Sequence, residues 1–229
     1  GLMEIREDHG CIRIGACATH AQLLRHPLIA ARLPVLHQAL GKLGSPAIRE
    51  MGTLGGNICT ASPAGDTLPA LYILDAEVEA ASEKGSRAVP LRDFIIGPGK
   101  TVLQAGEVLT AVRIKTPGGG YVHHFEKIGQ RKSMACAIAS LAALLKFSAS
   151  GCIEESRLAW GSVGPTVVTS KEIDEFLVGK KLSRETLFDA ADRITRIVAP
   201  IDDIRASAHY RRTVSGNLML RLLSQPAHP

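Results

Sequence analysis

Apolar and polar side chains alternate over residues 11–17 (CIRIGAC), the period of two that predicts a short strand. Thr19 and Gln22 stand three apart in the pattern of a capping box. A helix is therefore expected to open there, run to Arg25 and stop before Pro27. Over residues 34–43 the period lengthens. Leu36, Ala39, Leu40 and Leu43 line one helical face, and Gly44 suits a C-terminal cap. A glycine-rich stretch, 51–66, is read as a loop. It is followed by a short apolar helix over 68–74, with Asp66 placed to cap it. Strands are expected at 76–81 and 87–90 around a turn at 83–86. A short apolar piece at 91–96 ends at the Gly97-Pro98-Gly99 break, and 108–114 alternates again as a strand.

The TPGGG run at 116–120 is the linker in this pattern. Residues 121–129, 137–147 and 157–163 predict three longer strands, spaced as an antiparallel meander. The middle one is apolar nearly throughout and is read as a strand buried on both faces, with a helix as the alternative. Three helices close the chain. Thr169 and Glu172 form a capping box for the first, whose face is Ile173, Phe176 and Leu177, and Gly179 ends it. Ser183 caps the second, with Leu187, Ala190, Ala191, Ile194 and Ile197 inward; the third turns Tyr210, Val214, Leu218 and Leu222 inward. The expected fold is α+β in two domains, 1–116 and 117–229, the second a three-stranded antiparallel sheet packed with helices.

Composition narrows the function classes. With 229 residues and 45% hydrophobic content the chain has enough apolar surface for a sizeable core. Aromatics at 4% argue against stacking platforms for single-stranded nucleic acid. The net charge of +5 comes from scattered residues rather than a basic patch. Cys11, Cys17, Cys59, Cys136 and Cys152 are widely spaced and lack metal-ligand spacing, which reads as free thiols in a reducing cytoplasm. No apolar run approaches the ~18 residues of a membrane span. The His123-His124 pair has no third ligand in sequence and is expected to be exposed. No residue stands out as an acid, base or nucleophile, so the chemistry is expected to reside in a cofactor.

The stretch at 51–66, MGTLGGNICTASPAGD, is the strongest candidate for holding one. Glycines let a ligand approach the backbone, and concave runs of N–H groups bind phosphates. It is neither a Walker loop nor a GxGxxG fingerprint. Four ordered stretches carry a more specific signal: IRIGACATHAQL; GTLGGNICTASPAGDTLPAL with LDAEVE; the GPG turn before EVLTAVRI; and YVHHFEKIGQRKSMACAIASLAA. Together they resemble the FAD-binding subunits of the molybdenum hydroxylases. These include the flavin subunits of bacterial xanthine dehydrogenases and the medium subunit of carbon monoxide dehydrogenase. The resemblance covers nearly the whole chain.

The resemblance implies a PCMH-type FAD-binding subdomain followed by the C-terminal domain of the flavin subunit. Family members usually open with a further segment whose GGTD- or GGHS-like turn cradles the FAD pyrophosphate. This chain starts where that segment would end, so by itself it is expected to bind FAD weakly or not at all. Thr53, Leu54, Gly55, Gly56 and Asn57 match a dinucleotide loop whose amides and hydroxyl approach the diphosphate and adenosine. Thr60 and Ser62 would be nearby polar contacts. Asp66 matches an acidic residue that hydrogen-bonds sugar-chain hydroxyls, Leu43 and Leu109 match apolar flavin neighbours, and Lys127 matches a lysine beside the isoalloxazine or its chain. Without the resemblance, Asp66 reads as a helix cap, Leu43 and Leu109 as core, and Lys127 as a solvated surface group. Arg131 and Lys132 read as surface charge or partner contacts.

The function implied is an oxidoreductase subunit that takes electrons from [2Fe–2S] clusters to FAD and on to NAD or another acceptor. Its implied partners are a molybdopterin-binding large subunit and a [2Fe–2S] small subunit, met through the surface near 121–132 and the last three helices. Two other readings stand beside it. One is a subunit-docking module that binds no flavin; the other is a covalently flavinylated oxidase with Cys59 as the attachment candidate.

Overall fold

Two short strands at the start of the chain, β1 (Ile5–Asp8) and β2 (Cys11–Gly15), pair around His9 and Gly10 in a computed structural model that describes residues 1–131 and 134–224. Both turn residues have positive φ, 47° and 75°, the geometry that suits the twist of a two-residue hairpin. Five short helices follow: α1 (His20–Arg25), α2 (Pro27–Arg32), α3 (Pro34–Lys42), α4 (Pro46–Met51) and α5 (Leu54–Thr60). The Thr19–Gln22 capping box of α1 is made in both directions. Pro27 ends that helix but also opens α2, which was not anticipated. Proline costs nothing at the first helical position, where its missing N–H would have no partner anyway. Half of the expected glycine loop is helical, since Thr53 caps α5 within it.

Next come α6 (Leu68–Ile73), β3 (Glu77–Ser82), β4 (Gly85–Pro90), α7 (Leu91–Phe94), β5 (Ile95–Gly97), β6 (Lys100–Thr101) and β7 (Val108–Lys115). The first sheet runs β1-β2-β7-β3-β4, every neighbour antiparallel. Its core gathers Ile12, Ile14, Val78, Val112 and Ile114 from the strands with Leu36, Leu40, Leu54 and Ile58 from the helices.

The second unit contains β8 (Tyr121–Ile128), β9 (Ala139–Phe147), β10 (Ile153–Gly161) and β11 (Val168–Thr169), in the order β11-β10-β9-β8. The two-residue β11 makes the expected three-stranded sheet four-stranded. Strand β9 is buried on both faces through Leu145. Side chains alternate along a strand, so Ala142 and Leu144 join the first core while Leu141, Ala143 and Leu145 join a second. The second core is closed by α8 (Lys171–Leu177), α9 (Arg184–Ile197), α10 (Ala208–Leu220) and a 3-10 turn (Arg221–Ser224). Helix α6, buried at all six residues, lies between the units against β9 and β10. A Cβ on Gly161 would stand 2.9 Å from Pro69 Cγ and 2.6 Å from Ser140 Oγ, so this close seating requires glycine.

Several expectations shift in detail. Ser170, not Thr169, caps α8, accepting from Ile173 N. Ile197 is exposed because α9 ends there and the extended Val198 turns inward in its place. Tyr210 is exposed in the first turn of α10, and Leu222 is buried from the 3-10 turn rather than the helix. His124 is buried and His123 partly so; α3 packs against β8, and β9 pairs along it. Burial pushes the pKa of both imidazoles down, that of His123 to about 4. Lys132 lies outside the described residues; Arg131 donates to the Met134 carbonyl.

Candidate functional site

The glycines of α5 serve packing first. Leu54 N donates to Ala18 O (3.0 Å), Gly55 N to Ala16 O (2.9 Å), and Asn57 N to Thr53 O (3.0 Å). Gly56 N donates to the capping Thr53 Oγ1 (3.0 Å). Four of the five amides expected to face a diphosphate, those of Leu54 to Asn57, are therefore engaged within the protein. A Cβ on Gly55 would lie 2.7 Å from both the Cβ and the carbonyl oxygen of Ala16, so that glycine lets a helix touch backbone rather than a ligand. Gly56 and Thr60 remain exposed one turn apart, with Thr53 and Asn57 half-buried beside them. The Thr60 hydroxyl donates to Gly56 O, and Ser62 Oγ accepts from Ala64 N. Asn57 Oδ1 accepts from Thr67 Oγ1 at 2.6 Å, which ties α5 to the residue after Asp66.

Asp66 and Lys127 meet at the seam between the two units. Lys127 Nζ lies 2.6 Å from Asp66 Oδ2 and donates to Lys42 O at 3.1 Å; the two side chains are 7% and 8% exposed. Lys42 is the last residue of α3, where the negative end of the helix dipole favours a cation. Neither bland reading holds. Thr67, not Asp66, stands at the N-cap of α6, and Lys127 is a buried, paired cation. Burial pushes the Asp66 carboxyl up to about 6, and the lysine offsets only part of that shift.

Asp66 Oδ1 is buried with no hydrogen-bond partner. A buried acceptor left unpaired is costly, and it fits a hydroxyl donor arriving with a ligand. Leu43 follows Lys42 directly and is 7% exposed; Leu109, 9% exposed, lies on β7, against which α5 packs. The fold thus brings Leu43, Asn57, Asp66 and Lys127 into one neighbourhood, linked through Lys42 and Thr67, with Thr53, Gly56 and Thr60 one helix away.

A cavity of about 430 Å³ opens beside Ser62, walled by Pro63, Pro98, Ser162, Pro165, Pro200 and Arg211. Ser162 takes φ 65°, uncommon away from glycine, and its N–H donates to Pro63 O. Its Oγ is buried without a partner. The signal of this cavity in the sequence is Arg211, a charged residue on the inward stripe that Val214 and Leu218 continue. Among the described residues no group of three His, Cys, Asp or Glu side chains is placed to hold a metal, and the five cysteines are unpaired. No described helix is long and apolar enough to cross a membrane.

Comparison with known proteins places this geometry. Residues 1–117 match the family described as the FAD binding domain in molybdopterin dehydrogenase, and residues 124–225 match the CO dehydrogenase flavoprotein C-terminal domain. The chain is 36% identical to the nicotinate dehydrogenase FAD-subunit of Eubacterium barkeri, over 81% of this chain and 64% of that protein. It is 33% identical to the carbon monoxide dehydrogenase medium chain of Afipia carboxidovorans, over 98% of this chain and 77% of the relative. This chain therefore spans less than two thirds of the first relative's length. A crystal structure of the cyanide-inactivated Cu,Mo-CO dehydrogenase superposes with a TM-score of 0.93 at 32% identity, covering 99% of this chain and 78% of that one.

Proposed function

Because the chain belongs to the family of FAD-binding subunits of molybdenum hydroxylases, we propose that it holds FAD along Thr53, Gly56, Asn57 and Thr60 and at the Asp66–Lys127 seam. Residues 1–116 act as the FAD-binding subdomain and 117–229 as the domain that closes over it and docks partners. Bound FAD would supply the electron chemistry between the [2Fe–2S] clusters of a small subunit, served by a molybdopterin-binding large subunit, and NAD or another acceptor. The chain's own residues bind and orient. Asp66 Oδ1 accepts a hydroxyl of the cofactor's polyol chain, Lys127 holds the carboxylate in place, and Leu43 and Leu109 supply apolar contact. The exposed Phe188, Tyr210 and Leu223 are the apolar surface offered to partners.

The observation that carries this reading is the unpartnered, buried Asp66 Oδ1 beside a buried lysine. The experiment is the visible spectrum of the purified protein before and after acid precipitation. FAD released to the supernatant supports the proposal, and flavin retained in the pellet indicates a covalent link. A colourless protein supports a docking module without flavin. That second reading has its own observation, since the amides of Leu54, Gly55, Gly56 and Asn57 are already engaged.

A further inference from the structure

Besides residues 62–64 and Pro98, three segments of the second unit with little regular structure wall the cavity beside Ser62: the approach to β9 at Ala137, the bend after β10 at Ser162 to Pro165, and the stretch from Ala199 to Arg205. Each belongs to a different part of the second unit. A buried arginine joins them. Arg211 of α10 is 4% exposed. Its Nη1 donates to Ile138 O at 2.6 Å and Ser162 O at 3.2 Å, and its Nη2 donates to Asp203 Oδ1 at 2.8 Å. Asp203 in turn accepts from the backbone N–H groups of Arg205 (2.8 Å) and Ala206 (3.1 Å), so it shapes the 203–206 turn. The guanidinium thus reaches these three segments from one rigid plane. An ammonium on a flexible stem cannot reproduce that fork.

We propose that Arg211 is a positioning residue that sets the shape of this cavity for a small, flat, largely apolar electron acceptor. Pro63, Pro98, Pro165 and Pro200 give the cavity stiff apolar sides, since each ring fixes its own backbone angle. The unpartnered Ser162 Oγ, held by the backbone that Arg211 grips, supplies a hydrogen bond to an acceptor's polar edge. The inference rests on the electron-transfer reading above, because Ser62 belongs both to the candidate flavin contacts and to the cavity wall.

The test uses the purified flavin-loaded protein, its flavin reduced anaerobically and mixed with 1,4-benzoquinone, or with ferricyanide, which takes electrons at a surface and needs no fitted site. Arg211→Lys and Asp203→Asn are compared with the parent. The expected result is a rise of about tenfold or more in the half-saturating concentration of benzoquinone, with the limiting rate little changed. The ferricyanide rate and FAD content stay at the parent's level. Calorimetric titration of the oxidised protein with the same acceptor should show its dissociation constant rising in the same proportion.

Half-saturation within about twofold of the parent in both variants would overturn the proposal. So would loss of FAD in both, which would reduce Arg211 to a folding role. A parent whose flavin is not reoxidised by benzoquinone in a saturable way overturns this proposal, whereas a parent that holds no FAD overturns the flavin reading on which it rests.

Discussion

Lys127→Met should destabilise the protein only above the pH at which Asp66 ionises. In the parent, burial raises the Asp66 carboxyl from 3.8 to about 6. A raised folded-state pKa means that the native state binds the proton more tightly than the unfolded chain. The contribution of this group to stability is therefore greatest at low pH and falls as pH rises from about 4 to about 6, then levels off. Removing the lysine removes the one charge that lets Asp66 ionise near 6, so in the variant the fall continues. Each further pH unit adds about 1.4 kcal/mol, or roughly 3 kcal/mol near pH 8. That lies at the lower end of what breaking a buried ion pair usually costs.

The assay is urea unfolding of parent and variant across pH 5 to 8. The double variant Asp66→Asn/Lys127→Met, which removes both charges at nearly constant volume, should recover most of the loss at pH 8. A variant equally destabilised at pH 5.5 and pH 8 would refute the reasoning and point to lost packing. A variant with unchanged stability throughout would refute it more simply.

Gly55→Ala should cost about 1–3 kcal/mol in urea unfolding, because the added Cβ meets Ala16 at 2.7 Å. Thr53→Ala should cost about 1 kcal/mol through loss of the α5 cap, in the same assay. Burial pushes the Asp174 carboxyl up to about 7, so the parent should lose stability as pH rises from about 4 to 7. Asp174→Asn should flatten that stretch of a melting-temperature profile, and an unaltered profile would count against it. Arg157→Ala should matter little, under about 1 kcal/mol, because its pair with Asp75 is about half exposed on both sides.

Much of this fold is legible in the sequence because local chemistry and tertiary packing agree. The capping box at Thr19, the Ser183 cap, the alternation of β7 and the continuous apolar run of β9 all appear where the pattern puts them. The misreadings arise where one residue type serves two ends. Pro27 reads as a stop and is also a start. The glycines of 51–66 read as a loop because glycine frees the backbone and admits a ligand, yet α5 needs small residues where it touches Ala16. The candidate site residues come from family resemblance, which does not give their partners within the fold. Nothing local to Asp66 signals a lysine 61 positions away. Nor does a local pattern show that Arg211 reaches back to Ile138.

The most direct test of the central claim is a crystal structure of the protein grown with FAD. The account predicts FAD along the exposed side of α5, with a hydroxyl of its polyol chain within hydrogen-bonding distance of Asp66 Oδ1 and the Asp66–Lys127 pair intact. FAD bound elsewhere, or Asp66 Oδ1 still without a partner when FAD is present, would contradict it.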